Sequence, residues 1–400
     1  MQMRYGLLAS VLLIGQPALA DDTKDPAPIV VTAHTLDDTA RALDACIQRK
    51  CPPDADVKAT LAHAENQFVA GDYKGARGTL LKSIGRNHDE AKSYPVPVSD
   101  LYRANARIAA NLGEGDDYRL STLDSRNALR KGLPADDWRI LVSSIEVGDM
   151  RARLGFSREA IKIYDDVGKQ AKAKGYAKVA IVAALRSAVL LMSSDMPDEA
   201  AEGRRRLEAL AASPGKEMAS VRLAAKIILA RKARTKEEAD TATAALFAEQ
   251  RESGALAKHP TIAFAPPIQM PDDARNGKES RTALTSLQTQ DVNGNWVDIG
   301  FWVTPSGKTS DVEVLRHSKN KGDFAWSKPV VQSIEGRLYV PMEAEPGDPG
   351  FYMVERFTMT ALFEDQLGSR MRRRSSDYRI ERIDLTEIPP PEPSEPSSSK

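Results

Sequence analysis

The chain has few of the residues from which catalytic and metal centres are usually assembled. There are two cysteines in 400 residues, Cys46 and Cys51. No histidine or carboxylate pair completes a ligand set with them, and four residues separate them where a catalytic dithiol normally has two, so a metal site and a redox dithiol are both disfavoured. The five histidines, His34, His63, His88, His259 and His317, are scattered and form no HExxH pair. No Ser or Cys nucleophile motif, GxGxxG turn or GK[ST] phosphate loop occurs. Aspartate pairs at Asp116-Asp117, Asp136-Asp137 and Asp272-Asp273 fall at turns and helix starts, where carboxylates cap backbone donors. Excess charge is also lacking: 56 basic residues balance 56 acidic ones, which leaves no global field to attract nucleic acid or a membrane surface. These absences predict a protein that is not an enzyme and has no cofactor, no metal, no nucleic-acid partner and no small-molecule substrate.

Long apolar runs are confined to the N-terminus. Residues 1–20, "MQMRYGLLASVLLIGQPALA", combine Arg4, an apolar stretch from Leu7 to Ile14, Pro17 and the triplet Ala18, Leu19, Ala20. This pattern predicts a secretory signal cleaved after Ala20. The apolar core falls short of the roughly 20 residues of a bilayer-spanning helix. Export to the periplasm is therefore the expectation, and a retained inner-membrane anchor facing the periplasm is the alternative. In an oxidising compartment, Cys46 and Cys51 of "ACIQRKC" are expected to pair. Residues five apart on an unbroken helix point away from each other, so the bridge requires the last turn to open, which Pro52 and Pro53 favour.

From residue 35 to 257 the chain reads as repeated helical hairpins. In "TLAHAENQFVAGDYKGARGTLLKSIG", Leu61, Ala64 and Phe68 share one helix face, the chain turns at Gly71-Asp72-Tyr73, and Ala76, Leu80 and Ile84 form a second face. Similar stretches turn near Gly113, Gly155, Asp195 and Thr235, a period of about 40 residues. About five hairpins are expected to stack into a right-handed solenoid. The order Gly71, Tyr73, Ala76, repeated as Gly155, Phe156, Ala160, resembles the tetratricopeptide family. That family's repeat is shorter, at about 34 residues, and the fourth and fifth hairpins lack the turn glycine. The resemblance implies a concave surface for peptides or partner proteins; the alternative is a spacer between two other parts.

Pro260, Pro266, Pro267 and Pro271 predict a linker over residues 258–280. Strict alternation follows, with Val297, Ile299, Phe301 and Val303 on one strand face and Trp296, Asp298, Gly300 and Trp302 on the other. Pro305-Ser306-Gly307 predicts a hairpin, Val312 and Val314 the returning strand, and residues 322–341 a short helix with Phe324, Val331 and Ile334 inward. A final strand should carry Phe357, Met359, Ala361 and Phe363 inward. Strand, strand, helix, strand predicts a small α+β domain over 281–367. The fold class expected for the whole chain is thus multidomain: an all-α helical-hairpin solenoid followed by this domain.

"IGFWVTPSGKTSDVEVLRHS", "GRLYVP" and "RFTMTALF" resemble, in order and spacing, the C-terminal domain of the TonB family over about Ser286 to Asp365. The departures are Pro329 within the helix, the charges Glu355 and Arg356 in the last strand, and a helical array where that family has an anchor and a proline-rich spacer. The resemblance implies a domain that binds an extended peptide along a sheet edge. The expected edge is the last strand, with Met353, Glu355, Phe357, Met359, Ala361 and Phe363 as its residues. A candidate strand ligand lies in the chain itself. Within the extended segment 21–34, Ile29, Val30, Val31, Thr32 and Ala33 favour extended backbone and follow Pro26 and Pro28. They resemble the short box that TonB-type domains take from outer-membrane receptors, and are expected to dock on this chain's own domain or on a second copy's, giving a homodimer. The alternative is an N-terminal cap of the solenoid.

Residues 368–400, Arg-rich and then Pro/Ser-rich, predict a disordered tail. The sequence therefore points to a cell-envelope adaptor with protein or peptide partners, outer-membrane receptors among them. The alternative is a TonB-type energy transducer for receptor-dependent transport across the outer membrane.

Overall fold

The structure, a computed structural model, describes residues 35–215, 218–231, 241, 243–249, 259–268, 294–318, 326–343, 347–365 and 372–386. The signal peptide, Ile29–Ala33, Phe324 and the end of the tail lie outside these residues. The chain forms two units, one of residues up to Leu246 together with Thr360–Arg379 and one of Phe247–Met359 together with Ile380–Lys400.

Helix α1 (Leu36–Gln48) starts with a capping box in which the Thr35 hydroxyl accepts from the Asp38 amide and the Asp38 carboxylate accepts from the Thr35 amide, both at 3.1 Å. After Gln48 the chain reverses through Lys50, whose φ of 51° is left-handed, and the Cys51 amide donates to the Cys46 carbonyl at 3.1 Å. The Cα atoms of Cys46 and Cys51 come within 5.3 Å and the two are joined by a disulfide.

The hairpins are α2 (Pro53–Val69) with α3 (Tyr73–Asn87), α4 (Pro95–Asn111) with α5 (Gly115–Gly132), α6 (Trp138–Arg153) with α7 (Ser157–Ala173), and α8 (Ala177–Met192) with α9 (Pro197–Ala211), followed by α10 (Ala219–Arg231). The first three turn in the same way. Gly71, Gly113 and Gly155 have φ of 85°, 73° and 90°. The next amide in each case reaches back five residues: Asp72 to Gln67, Glu114 to Ala109 and Phe156 to Arg151, at 2.8–2.9 Å. This is the glycine-terminated helix end in which the left-handed residue lets the chain satisfy the last helical carbonyls. The fourth hairpin turns through Ser193–Met196 without glycine. The turn expected near Thr235 lies outside the described residues, and residues 243–249 are helical.

The larger cores are shared between hairpins. Val57, Ala64, Ala76, Leu80, Leu101 and Ile108 join α2, α3 and α4. Leu141, Ile145, Ala160, Tyr164, Ala183 and Leu190 join α6, α7 and α8. Leu185, Ala188, Leu207 and Ala225 join α8, α9 and α10. The repeated helical architecture expected from the spacing is thus built as a stack whose larger cores are shared between hairpins, while a smaller one, Val98 and Ala128 with Ala91, lies within α4 and α5 and the turn of helix before them.

After the helices come β1 (Ile262–Phe264), β2 (Trp296–Val303), β3 (Thr309–His317), α11 (Ser327–Glu335), β4 (Leu338–Tyr339), β5 (Phe351–Asp365) and β6 (Arg372–Asp384). The larger sheet has the order β3-β2-β5-β6, and β1 pairs with β4. Two sequence expectations need correction. The supposed linker contains β1, which is extended between prolines and secured where the Val340 amide donates to the Thr261 carbonyl (2.8 Å) and the Ser333 hydroxyl to the Pro266 carbonyl (2.7 Å). The supposed disordered tail contributes β6, whose order comes from pairing with β5 rather than from local composition. The β2–β3 hairpin turns where expected: Gly307 has φ 85°, the Gly307 amide donates to the Thr304 carbonyl, and a β-carbon on Gly307 would collide with the Tyr339 carbonyl.

One buried polar cluster locks α2 to α3. Burial alone would raise the Asp56 pKa. The Asp56 carboxylate, however, accepts from Arg86 (2.6 and 2.8 Å), Asn87 (2.8 Å) and Thr60 (3.0 Å), and these bonds hold it below its ordinary value. Asp56→Ala should lower stability by about 2–4 kcal/mol, since it leaves Asn87 and Arg86 without their acceptor. The depressed pKa sets the sign: the stabilisation is complete above the unfolded-state value and is lost as pH falls through the folded one. Urea titrations of the two proteins should therefore converge below about pH 4; a gap that is constant with pH would refute this assignment.

Candidate functional site: the open edge of the C-terminal sheet

Antiparallel pairing aligns β2 with β5 residue for residue: Val297 opposite Phe357, Asp298 opposite Arg356, Ile299 opposite Glu355, Phe301 opposite Met353. Alternation along a strand then assigns two faces. Val297, Ile299, Phe301, Val303, Met353 and Phe357 form an apolar face, all buried, as are Val330 and Ile334 of α11. Val331, expected inward, is only partly buried; the helix phase gives that place to Val330. Trp296, Asp298, Gly300 and Trp302 share the opposite face with Tyr352, Val354, Arg356 and Thr358.

The two charges that looked out of place in the final strand are fully buried and paired. On the apolar face Glu355 accepts from Arg337 and from Arg382 of β6, both at 2.8 Å. The Arg337 guanidinium also lies 5.8 Å from the ring centres of Phe301 and Phe357. Burial would weaken the Arg337 proton, but Glu355 and Tyr339 outweigh it and the pKa rises; burial pushes the Tyr339 hydroxyl up to about 12. On the opposite face Arg356 forms a forked pair with Asp298 at 2.6 and 2.9 Å, with its guanidinium 3.9 Å from the Trp296 ring centre, and Arg316 donates to the same carboxylate at 2.5 Å. These ion pairs tie β2, β3, β5 and β6 together and fix their register.

The sheet order corrects the expected binding edge. β5 is flanked by β2 on one side and β6 on the other, so its backbone cannot receive a peptide. The Val354 carbonyl accepts from the Leu385 amide at 2.8 Å, and the Val354 amide donates to the Thr386 hydroxyl at 3.1 Å. Met353, Glu355, Phe357 and Met359 are core positions, and the side chains of Ala361 and Phe363 lie outside the described residues. The terminal strand on the other side is β3. Its start is held by a bridge between Lys308 and Leu338 and by the Thr309 hydroxyl on the Ile334 and Glu335 carbonyls. Beyond Thr309, no strand among the described residues pairs with its outer side.

Next to this edge lies an apolar cluster. Leu315 is 44 % exposed and Tyr352 37 %, and the Tyr352 and Trp302 rings are 5.3 Å apart. Gly300 provides the floor, where a β-carbon would strike the Tyr352 hydroxyl and the Leu315 side chain. Val314 is 45 % exposed on the same strand. An unpaired strand beside such a cluster can take an extended segment through its backbone and seat an apolar side chain on the Trp302–Tyr352–Leu315 surface. Sequence reading missed this because alternation identifies strands but not which strand ends the sheet. Among the described residues no helix is long and apolar enough to cross a membrane, and no group of three potential metal ligands occurs.

No protein-family profile matches the chain, and no curated protein matches it. Among solved structures, it is similar to a crystal structure of nearly identical TPR-like repeats from Podospora anserina, assigned as a kinesin light chain, with 17% identity and a TM-score of 0.41. The likeness covers 51% of this chain and 98% of that one.

The ion pair across β2 and β5 gives a direct test of the register. Asp298→Ala leaves Arg356 buried without its partner and should cost about 3–5 kcal/mol in a denaturant titration, whereas Asp298→Leu combined with Arg356→Met should recover most of that loss. A double variant as unstable as the single one would show that the pair does more than neutralise itself.

Proposed function

We propose that this protein is an exported, non-enzymatic adaptor of the cell envelope that holds extended segments of partner proteins. The observation that carries the reading is the outer side of β3, left without a strand partner among the described residues and lying beside the exposed Leu315–Tyr352–Trp302 cluster. Backbone bonds to the edge would supply affinity that depends little on sequence, and the apolar cluster would select a side chain. The TonB-like reading of residues 281–367 belongs to this proposal. It draws support from the succession of strand, hairpin, strand, helix and strand, with the receiving edge moved from β5 to β3. Stacked hairpins offer a second partner-binding surface, as helical repeats do in general.

Export is tested by the intact mass of the protein in its native host after separation of soluble periplasm from membranes. A chain that starts at Asp21 in the soluble fraction is the expected result; an uncleaved chain in the inner membrane would favour energy transduction instead. For the edge, the probe is a synthetic peptide of residues 25–35, "DPAPIVVTAHT", added to protein lacking residues 26–34. It should slow hydrogen exchange at the Asp311–Leu315 amides by at least tenfold, and Val314→Pro should abolish the effect. If deletion of 26–34 leaves both the melting temperature and the oligomer distribution unchanged and the peptide leaves β3 exchange unchanged, self-docking by this segment is excluded.

A further inference from the structure

Many of the partly buried arginines of the helical unit have an acidic partner. Arg77 meets Glu114 and Asp117, Arg86 meets Asp56, Arg103 meets Asp100 and Glu146, Arg186 meets Asp149, and Arg206 meets Asp165 and Glu202. Arg126 of α5 is different. Its Nε is buried with no hydrogen-bond acceptor. Arg77, Arg103, Arg153 and Arg337 also have a buried, unmatched Nε, but each has an ion pair or a ring contact, and Arg126 has neither. One helical turn further on is Arg130, a like charge on the same face, which destabilises both unless an anion lies between them.

Both arginines line a cavity of about 460 Å³ where α5, α6 and α7 meet, and no carboxylate lines it. Its walls combine apolar side chains, Leu133, Ile140, Leu141 and Val167, with the polar Ser144 and Gln170. At the rim, the Lys174 ammonium donates to the carbonyl of Ala135, another lining residue, at 3.3 Å and adds a third positive charge. The nearby Asp137 carboxylate is already taken in a forked pair by Arg139.

We propose that this cavity is a binding site for an amphipathic carboxylic acid, its carboxylate held between Arg126 and Arg130 and its apolar body against Leu133, Ile140, Leu141 and Val167. A guanidinium fork matches a carboxylate in geometry as well as charge. The volume lies within the usual range of small-ligand pockets, about 300–1,000 Å³, and Ser144 and Gln170 add polar groups that can reach the carboxylate or the polar part of the ligand. A small inorganic anion would satisfy the arginines but leave the apolar walls against water, and a neutral apolar molecule would leave Arg126 unmatched. Burial, with Arg130 close by, lowers the Arg126 pKa, in keeping with an uncompensated charge. The site uses the ends of helices from two adjacent hairpins and is separate from the β3 edge; it does not depend on the export reading.

The test is calorimetric titration of the full chain with N-acetyl-leucine, a mimic of a protein chain end, and with octanoate, a free acid, each compared with its uncharged amide. At least one acid should bind in the millimolar range or tighter, weaken as salt is raised, and bind at least tenfold more tightly than its amide. Arg126→Gln should weaken that binding at least tenfold while the ligand-free melting temperature stays level or rises, because a partly buried, unpaired charge has been removed. Which acid binds tells a chain-end ligand from a free one. The proposal is overturned if neither acid binds at 10 mM (about the weakest affinity worth calling a site), if acids and amides bind alike, or if Arg126→Gln binds as tightly as the parent. Should Arg126→Gln fail to fold, the exposed Arg130→Gln takes its place, with a loss of at least threefold expected and unchanged affinity counting against the site.

Discussion

The larger cores of the helical unit are shared between hairpins, and this constraint governs the rest of that unit. Three core clusters each draw on three helices, two from one hairpin and one from the next, so those hairpins bury their apolar stripes only as part of the stack. For the stack to continue, each turn must deliver the second helix at a set angle. The recurrent left-handed glycine, with its amide-to-carbonyl bond reaching back five residues, does so at four of the turns: Gly71, Gly113 and Gly155 within hairpins and Gly175 between α7 and α8. Buried polar clusters such as Asp56–Arg86–Asn87 then select one register among the many that apolar contact alone would allow.

The sheet unit meets the opposite problem. A small sheet has little apolar area to distribute, and this one buries charges in the middle of its two central strands. Buried ion pairs add little net stability relative to apolar residues of the same shape, but a misregistered strand would separate them, which is costly. Asp298–Arg356 fixes β2 against β5, and Arg382–Glu355 fixes β6 against β5. With β5 and β6 locked in this way, β3 is left as the strand whose outer backbone is unclaimed among the described residues. The openness of one edge is thus a consequence of how firmly the other strands are held.

What could be read from the sequence was whatever is encoded locally. Apolar spacing marked the helices, glycine marked three turns, and the alternation from Trp296 to Val303 marked both faces of β2 together with its Pro305-Ser306-Gly307 turn. What could not be read depends on partners far along the chain. Glu355 and Arg356 looked like intrusions because their partners stand 18 and 58 residues away. The strand beginning at Arg372 has the composition of a solvated tail and is ordered by β5; β1 sits among prolines that signal a linker. The expected edge on β5 failed for the same reason: a strand pattern reports extended backbone and a buried face, not how many neighbours the strand has.

Arg126 belongs to this same category. In the sequence it is one of many basic residues in a chain with no net charge, and nothing distinguishes it from Arg77 or Arg103. Only the folded arrangement reveals that the charges of Arg77 and Arg103 are matched and that of Arg126 is not. An unmatched, partly desolvated charge costs stability that the fold must recover elsewhere. A buried donor facing a cavity, with a second arginine one turn away and Leu133, Ile140, Leu141 and Val167 beside them, is a departure that an anion of matching shape would relieve. That makes the cavity more than a packing defect, since a defect lined by leucine, isoleucine and valine alone would have no need of charge at its mouth.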